Sequence, residues 1–164
     1  MDLLIFATVG TSKLQFNRLL KILDQLCEEK VIDGNDLLVQ IGYSTYFPQN
    51  YKTMRFVDND EHHRLLAEAE YVITHSGTGS VITSLKAKKK VIVFPRLAQY
   101  REHADDHQLE LASFFSQIGC LMSASDKKEL VDCINMLPEY KPVEFVSNNH
   151  KMNQILIDYI DNNV

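Results

Sequence analysis

Short, largely apolar runs separated by segments of helical periodicity constrain this chain more than any other feature. The runs are LLIFATV (3–9), DLLVQIG (36–42), YVITH (71–75) and VIVFP (91–95). Strands that are apolar on both faces are covered on both faces, the condition of a parallel sheet with helices on either side. Between them, Phe16, Leu19, Leu20, Leu23 and Leu26 recur at helical spacing, and DEHHRLLAEAE (60–70) places Leu65, Leu66 and Ala69 inward. MRFV (54–57) reads as a further short strand. DDHQLELASFFSQIG (105–119) reads as a helix stopped by Gly119, followed by the short extended CLMS. Ser125 is expected to cap DKKELVDCINML, and NHKMNQILIDYIDN (149–162) forms a last amphipathic helix with Met152, Ile155, Leu156, Tyr159 and Ile160 on one face. The expected fold class is α/β, a doubly wound, Rossmann-like parallel sheet whose ligands sit at the carboxyl ends of the strands.

The chain has 164 residues, 45% of them apolar, which suits one domain spanning 1–164 with a substantial core. A net charge of −5 offers no basic stripe for a phosphate backbone, so nucleic acid is excluded as an expected partner. Cys27, Cys120 and Cys133 are odd in number and widely spaced, as in a reducing compartment, and read as core thiols. No apolar run approaches the roughly 20 residues of a membrane span, and MDLLIFATVG lacks the basic head of a signal peptide. A soluble, cytoplasmic chain is expected.

Two strand ends are rich in functional groups. VGTSK follows the first strand and HSGTGS (75–80) follows the fourth, both small, hydroxyl-bearing loops that lead into helices. Exposed amides at a helix start, with glycines that admit a ligand closely, suit a phosphate group. The same letters also describe a tight turn with an N-cap, and neither a Walker loop nor a complete GxGxxG is present. The second cluster, PRLAQYREHADDHQLELA (95–112), delivers Arg96, Arg101, Glu102, His103, Asp106, His107 and Gln108 after one strand. Asp106, His107 and Gln108 offer donors and acceptors to sugar hydroxyls, while a capped helix start with solvated charges is the alternative. His103 and His107 are four apart, but HADDH has no Glu after its first His and no evident third ligand, so no metal is expected. His62 and His63 read as a solvated helix face with no role.

THSGTGSVITSLKAKKKVIVFPRLAQYREHADDHQLELA, together with VGTSKLQFNRLL, closely resembles the carboxy-terminal, donor-binding domain of family 28 glycosyltransferases. HSGTGS, DHQLELA and VGT occur in the family's order and separations, and the likeness extends through QIGYSTYFP and the final helix. Within the family the chain is most similar to the small subunit of split bacterial exopolysaccharide or capsule glycosyltransferases, and next to the catalytic subunit of the eukaryotic dolichol-linked N-acetylglucosaminyltransferase.

The resemblance implies one Rossmann-like half of a GT-B enzyme, using a UDP-sugar as donor substrate, with no other cofactor and no bound metal. Carried over by position, Gly10 and Thr11 would lie near the phosphates. His75 would line the cleft, and Ser76, Gly77, Thr78, Gly79 and Ser80 would hold the diphosphate. Asp106, His107 and Gln108 would face the donor sugar, with Arg96 and Glu102 in the same cluster also at the ligand. Many relatives carry a ribose-binding Glu where this chain has Thr83. The implied activity is inverting transfer of a hexose to a lipid-linked saccharide. It implies a membrane-associated, acceptor-binding partner subunit that holds the chain at the inner face of the cell membrane; self-association of the isolated chain is a further expectation. The alternatives are a non-catalytic nucleotide-sugar-binding module and a metal-dependent hydrolase built on His103 and His107. No residue stands out as the general base.

Overall fold

The computed structural model describes residues 4–146. The 149–162 helix expected from the sequence lies outside the described residues.

Six strands pair in parallel in the order β3-β2-β1-β4-β5-β6. They are β1 (Leu4–Thr8), β2 (Leu37–Gln40), β3 (Lys52–Met54), β4 (Ala69–Thr74), β5 (Lys90–Val93) and β6 (Met122–Ser123). The helices are α1 (Asn17–Glu28), α2 (Asn59–Glu68), α3 (Thr78–Lys86), α4 (His107–Gln117) and α5 (Lys127–Met136). Because β2 and β3 extend from one side of β1 while β4 to β6 extend from the other, the chain reverses direction between β1 and β4. A crevice opens at such a reversal, beyond the carboxyl ends of the two strands.

The side chains alternate as a pleated strand requires. Ile5, Ala7 and Val9 face a core built with Leu19, Leu20, Leu23 and Leu26 of α1 and Leu130 of α5. Phe6 points the other way, to Leu65 and Leu66 of α2, and Val91 and Val93 meet Val81 and Leu85 of α3 and Phe115 of α4. The central strands β1, β4 and β5 are therefore covered on both faces, which is why they are largely apolar, whereas the edge strand β3 carries the exposed Lys52 and Thr53. Cys120 and Cys133 sit in these cores as free thiols, and burial pushes both above the ordinary thiol range.

Three local expectations are corrected. The strand expected at 54–57 lies at Lys52–Met54: beyond Met54 the Arg55 guanidinium turns aside to donate to the carbonyls of Gly42 (3.0 Å) and Ser44 (2.8 Å). Ala69, expected on the inner face of a helix, opens β4. The cap of α5 is Asp126 rather than Ser125: its carboxylate accepts from the Glu129 N–H at 2.8 Å, while Glu129 reaches back to the Ser125 N–H at 2.7 Å.

A buried carboxylate shapes the loop after β2. Asp24 of α1 accepts from the Tyr46 hydroxyl (2.6 Å), the Asn50 N–H (2.9 Å) and the Gln49 N–H. Burial alone would raise its pKa, but these bonds outweigh it and hold the carboxyl below its ordinary value.

Candidate functional site

At the reversal, the loops after β1 and β4 are bound to each other. The Thr8 hydroxyl accepts from the Gly10 N–H at 3.1 Å, and the His75 N–H donates to the Thr8 carbonyl at 3.2 Å. The His75 imidazole sits between two glycines. A Cβ on Gly10 would lie 2.4 Å from its Cε1, and one on Gly77 would lie 2.3 Å from its Nε2. Gly10 also has a φ of +76°, a region that side chains rarely adopt. Two of the glycines that suggested a phosphate cradle are thus required first by a histidine. Burial, and next the charge of Arg96, lowers the His75 pKa to about 4, so the ring is neutral at pH 7.

The start of α3 is open. Gly77 occupies the cap position without a side-chain hydrogen bond, and no acidic residue stands in the first turn. The leading N–H groups therefore keep their partial positive charge. A Cβ added at Gly79 would meet nothing within 4 Å. Ser76 is fully buried, and its hydroxyl has no hydrogen-bond partner among the described residues. In front of these groups lies a cleft of about 580 Å³, whose wall includes Gly10, Thr11, His75 and the 77–80 turn.

The same cleft is lined by Val57, Asp58, Asn59, His62 and His63 at the start of α2. Their helical spacing alone predicts a solvated face for His62 and His63. A helix-period pattern shows which residues avoid the core, but not which exposed ones face a crevice made by a loop elsewhere in the chain.

The cluster after β5 divides differently from expectation. Arg96 and Glu102 do not reach the cleft, a correction to their assignment at the ligand. Arg96 is fully buried and donates to the carbonyls of Val9 (2.6 Å), Leu14 (3.0 Å), Gln15 (3.2 Å) and Glu102 (3.0 Å), with its guanidinium 4.8 Å above the Phe16 ring. Burial lowers its pKa to about 10, against the opposing pull of Glu102, which leaves it charged at pH 7. Glu102, equally buried, pairs with Arg18 through two bonds of 3.0 and 2.9 Å and accepts from the Leu97 N–H. Together they tie the loop after β5 to the one after β1. Gln108 is buried, with its side-chain carbonyl accepting from the Arg96 N–H at 3.1 Å, and Asp106 accepts from the Ala98 N–H at 2.9 Å. Asp106 and His107 remain exposed at the start of α4, and none of these three residues lines the cleft.

His103 and His107 both approach Asp105, at 2.9 and 3.6 Å. Among the described residues, no three His, Cys, Asp or Glu side chains are grouped to hold a metal ion.

Residues 4–159 match the model of the glycosyltransferase family 28 C-terminal domain. The chain belongs to this family. It is 29% identical over 140 residues to the UDP-N-acetylglucosamine transferase subunit ALG13 of Debaryomyces hansenii, an alignment covering 76% of this chain and 64% of that protein. It is 30% identical over 125 residues to the subunit of the same name from Homo sapiens, covering 71% of this chain and 10% of that one. The domain thus spans less than two thirds of either curated relative.

Among solved structures, the family 28 domain is similar to the NMR solution structure of ALG13, with a TM-score of 0.64, 21% identity and 98% of each chain covered. It also resembles the crystal structure of the kitacinnamycin glycotransferase, with a TM-score of 0.60 and 17% identity over 83% of this chain and 34% of that one. The fold is the Rossmann-like half of a GT-B glycosyltransferase. Among the described residues, no helix is long and apolar enough to cross a membrane.

Proposed function

We propose that this domain is the donor-binding, catalytic subunit of an inverting, metal-independent glycosyltransferase that moves a hexose from a UDP-sugar to a lipid-linked saccharide. The observation that carries the reading is the uncapped start of α3, with Gly79 facing an open cleft at the sheet reversal. Transfer from a nucleotide sugar builds negative charge on the departing diphosphate, and fixed N–H dipoles aimed there lower the barrier; one such donor is typically worth about 3 kcal/mol. Membership of a glycosyltransferase family supports the same chemistry. Asp106 and His107 stand exposed at the start of α4, where the His107 N–H donates to the Asp105 carboxylate at 3.1 Å; their exposed polar groups suit contact with the donor sugar, and Gln108 is fixed beside them.

A GT-B site lies between two such halves, so transfer requires a second, acceptor-binding partner. The relatives' designation as a transferase subunit supports this. So does the apolar rim at the carboxyl edge of the sheet, where Tyr43 and Phe56 pack at 5.1 Å yet stay exposed. That partner would bring the domain to the inner face of the membrane. Exopolysaccharide or capsule synthesis is the setting the motif resemblance favours, and the relatives' names make N-acetylglucosamine the first donor to try.

The test is a panel of UDP-sugars supplied to the purified domain with and without its co-expressed partner, using a lipid-linked saccharide as acceptor and EDTA as a control. Transfer that requires both chains and survives EDTA is expected. Failure of UDP to bind the domain, or full turnover by the domain alone, would overturn the corresponding part of the proposal.

A further inference from the structure

Direct displacement at an anomeric carbon requires a group that takes the proton of the acceptor hydroxyl, and a histidine with one nitrogen held by a carboxylate suits that task. Among the described residues the histidines are His62, His63, His75, His103 and His107. His75 is buried between Gly10 and Gly77, and a pKa lowered to about 4 makes it a weak base. His62 and His63 contact each other, and neither has a carboxylate beside it to orient its ring. His107 has both ring nitrogens towards carboxylates, Nδ1 at 3.4 Å from Glu110 and Nε2 at 3.6 Å from Asp105.

His103 differs from all four. It is half-buried, and its Nδ1 lies 2.9 Å from the Asp105 carboxylate. The Asp105 N–H is 3.4 Å from the same nitrogen, a longer contact, so the carboxylate fixes the proton on Nδ1 and leaves the Nε2 lone pair free. Nε2 has no hydrogen-bond partner among the described residues, and it is not among the polar atoms shut away from solvent. Asp105 is itself fixed, because the oxygen that holds His103 also accepts from the His107 N–H at 3.1 Å. The ring therefore has a set orientation and one available lone pair, the arrangement in which an imidazole serves as a base. Along the chain His103 leads into the start of α4, and across the fold it is near enough to His75 for its charge to act on that ring. It thus stands where the loop after β4 approaches the start of α4.

We propose that His103, oriented by Asp105, is the general base that activates the acceptor hydroxyl. The inference rests on the reading that the start of α3 holds the diphosphate and the start of α4 the donor sugar. The hydroxyl oxygen bonds to the anomeric carbon as the bond from that carbon to the diphosphate breaks, its electron pair leaving on the phosphate oxygen. The hydroxyl proton passes to Nε2, and the imidazolium, paired with Asp105, later releases it to water. The acceptor arrives from outside this domain, so its base must be reachable from solvent, as Nε2 of His103 is and the buried His75 is not. The partner then supplies the acceptor but not the base.

The experiment uses the domain with its co-expressed partner, the panel of UDP-sugars as donors and a lipid-linked saccharide as acceptor. Wild type, His103→Gln, His103→Ala and Asp105→Asn are compared by kcat against pH, with UDP affinity and melting temperature measured on the same preparations. His103→Gln should lower kcat at least about a hundredfold while UDP affinity stays within about twofold and the melting temperature within a few degrees. Only the unprotonated ring accepts a proton, so wild-type kcat should fall on acidification and His103→Gln should lose that limb. His75, Asp105 and His107, the titratable groups beside this ring, remain in the variant, so a limb due to them would persist. Added imidazole should restore part of the activity of His103→Ala, which a purely structural loss would not allow. Asp105→Asn should move the acid limb to lower pH, since the carboxylate that stabilises the imidazolium is gone. If the wild-type pair is active and His103→Gln keeps more than half of kcat, or keeps the acid limb, this inference is overturned while the donor-binding reading stands. Parallel loss of UDP affinity or of melting temperature would also overturn it, by making His103 a ligand or a structural group. If the wild-type pair transfers no UDP-sugar of the panel, the transferase reading fails and this inference fails with it.

Discussion

The ring of His75 occupies the space that a side chain at Gly10 would need, with its Cε1 only 2.4 Å from the position of a Cβ there. Residues 65 positions apart in sequence are thereby matched: the loop after β1 stays bare so that the loop after β4 can bring an imidazole against it.

Gly10→Ala should cost about 2–4 kcal/mol, combining a left-handed backbone cost of about 1–2 kcal/mol with overpacking against the ring. His75→Ala made in the same chain should recover the overpacking part. Urea denaturation of the two single variants and the double variant measures the coupling, and strict additivity would contradict the contact.

Gly79 is open where Gly10 is closed. Gly79→Val should fold with a melting temperature within a few degrees of wild type, because its side chain enters empty space. UDP affinity should fall at least about tenfold as the methyls occupy the approach to the α3 N–H groups. Calorimetry on the folded variant that returns wild-type affinity would move the diphosphate elsewhere.

Arg96→Met should destabilise the domain by about 3–5 kcal/mol, since it removes one member of a buried charge network and orphans several carbonyls. A ligand-binding role would give the opposite pattern, an unchanged melting temperature with lost affinity. Thermal melts with and without UDP separate the two.

Stability should fall as pH drops from about 6.5 towards 4. Over that window the unfolded chain binds a proton at His75, whereas the folded chain, with this pKa lowered to about 4, does not. The unfolded state therefore holds more protons, and the contribution reaches about 3 kcal/mol by the lower end. His62 is shifted the same way and adds to the slope. Denaturation midpoints at pH 7, 5.5 and 4.5 should show a shallower decline for His75→Asn than for wild type, and identical slopes would contradict the assignment.

The sequence by itself determined the doubly wound sheet and the strand end that carries HSGTGS. Short apolar runs without alternation, separated by helix-period segments, fit strands covered on both faces, and the position of a Gly-rich, hydroxyl-rich loop between strand and helix follows from the same order. Which polar groups face the cleft was decided by the tertiary structure. Arg96 and Glu102 read as ligand groups because they crowd one strand end, yet the first binds four carbonyls and the second binds Arg18, all brought close only by folding. His62 and His63 read as solvent-facing because they lie off the core stripe of their helix, yet the 77–80 turn, more than ten residues further along, forms the other wall beside them. Periodicity reports distance from the core along one element. The direction of a polar side chain depends on partners supplied by other elements, and only their packing sets it.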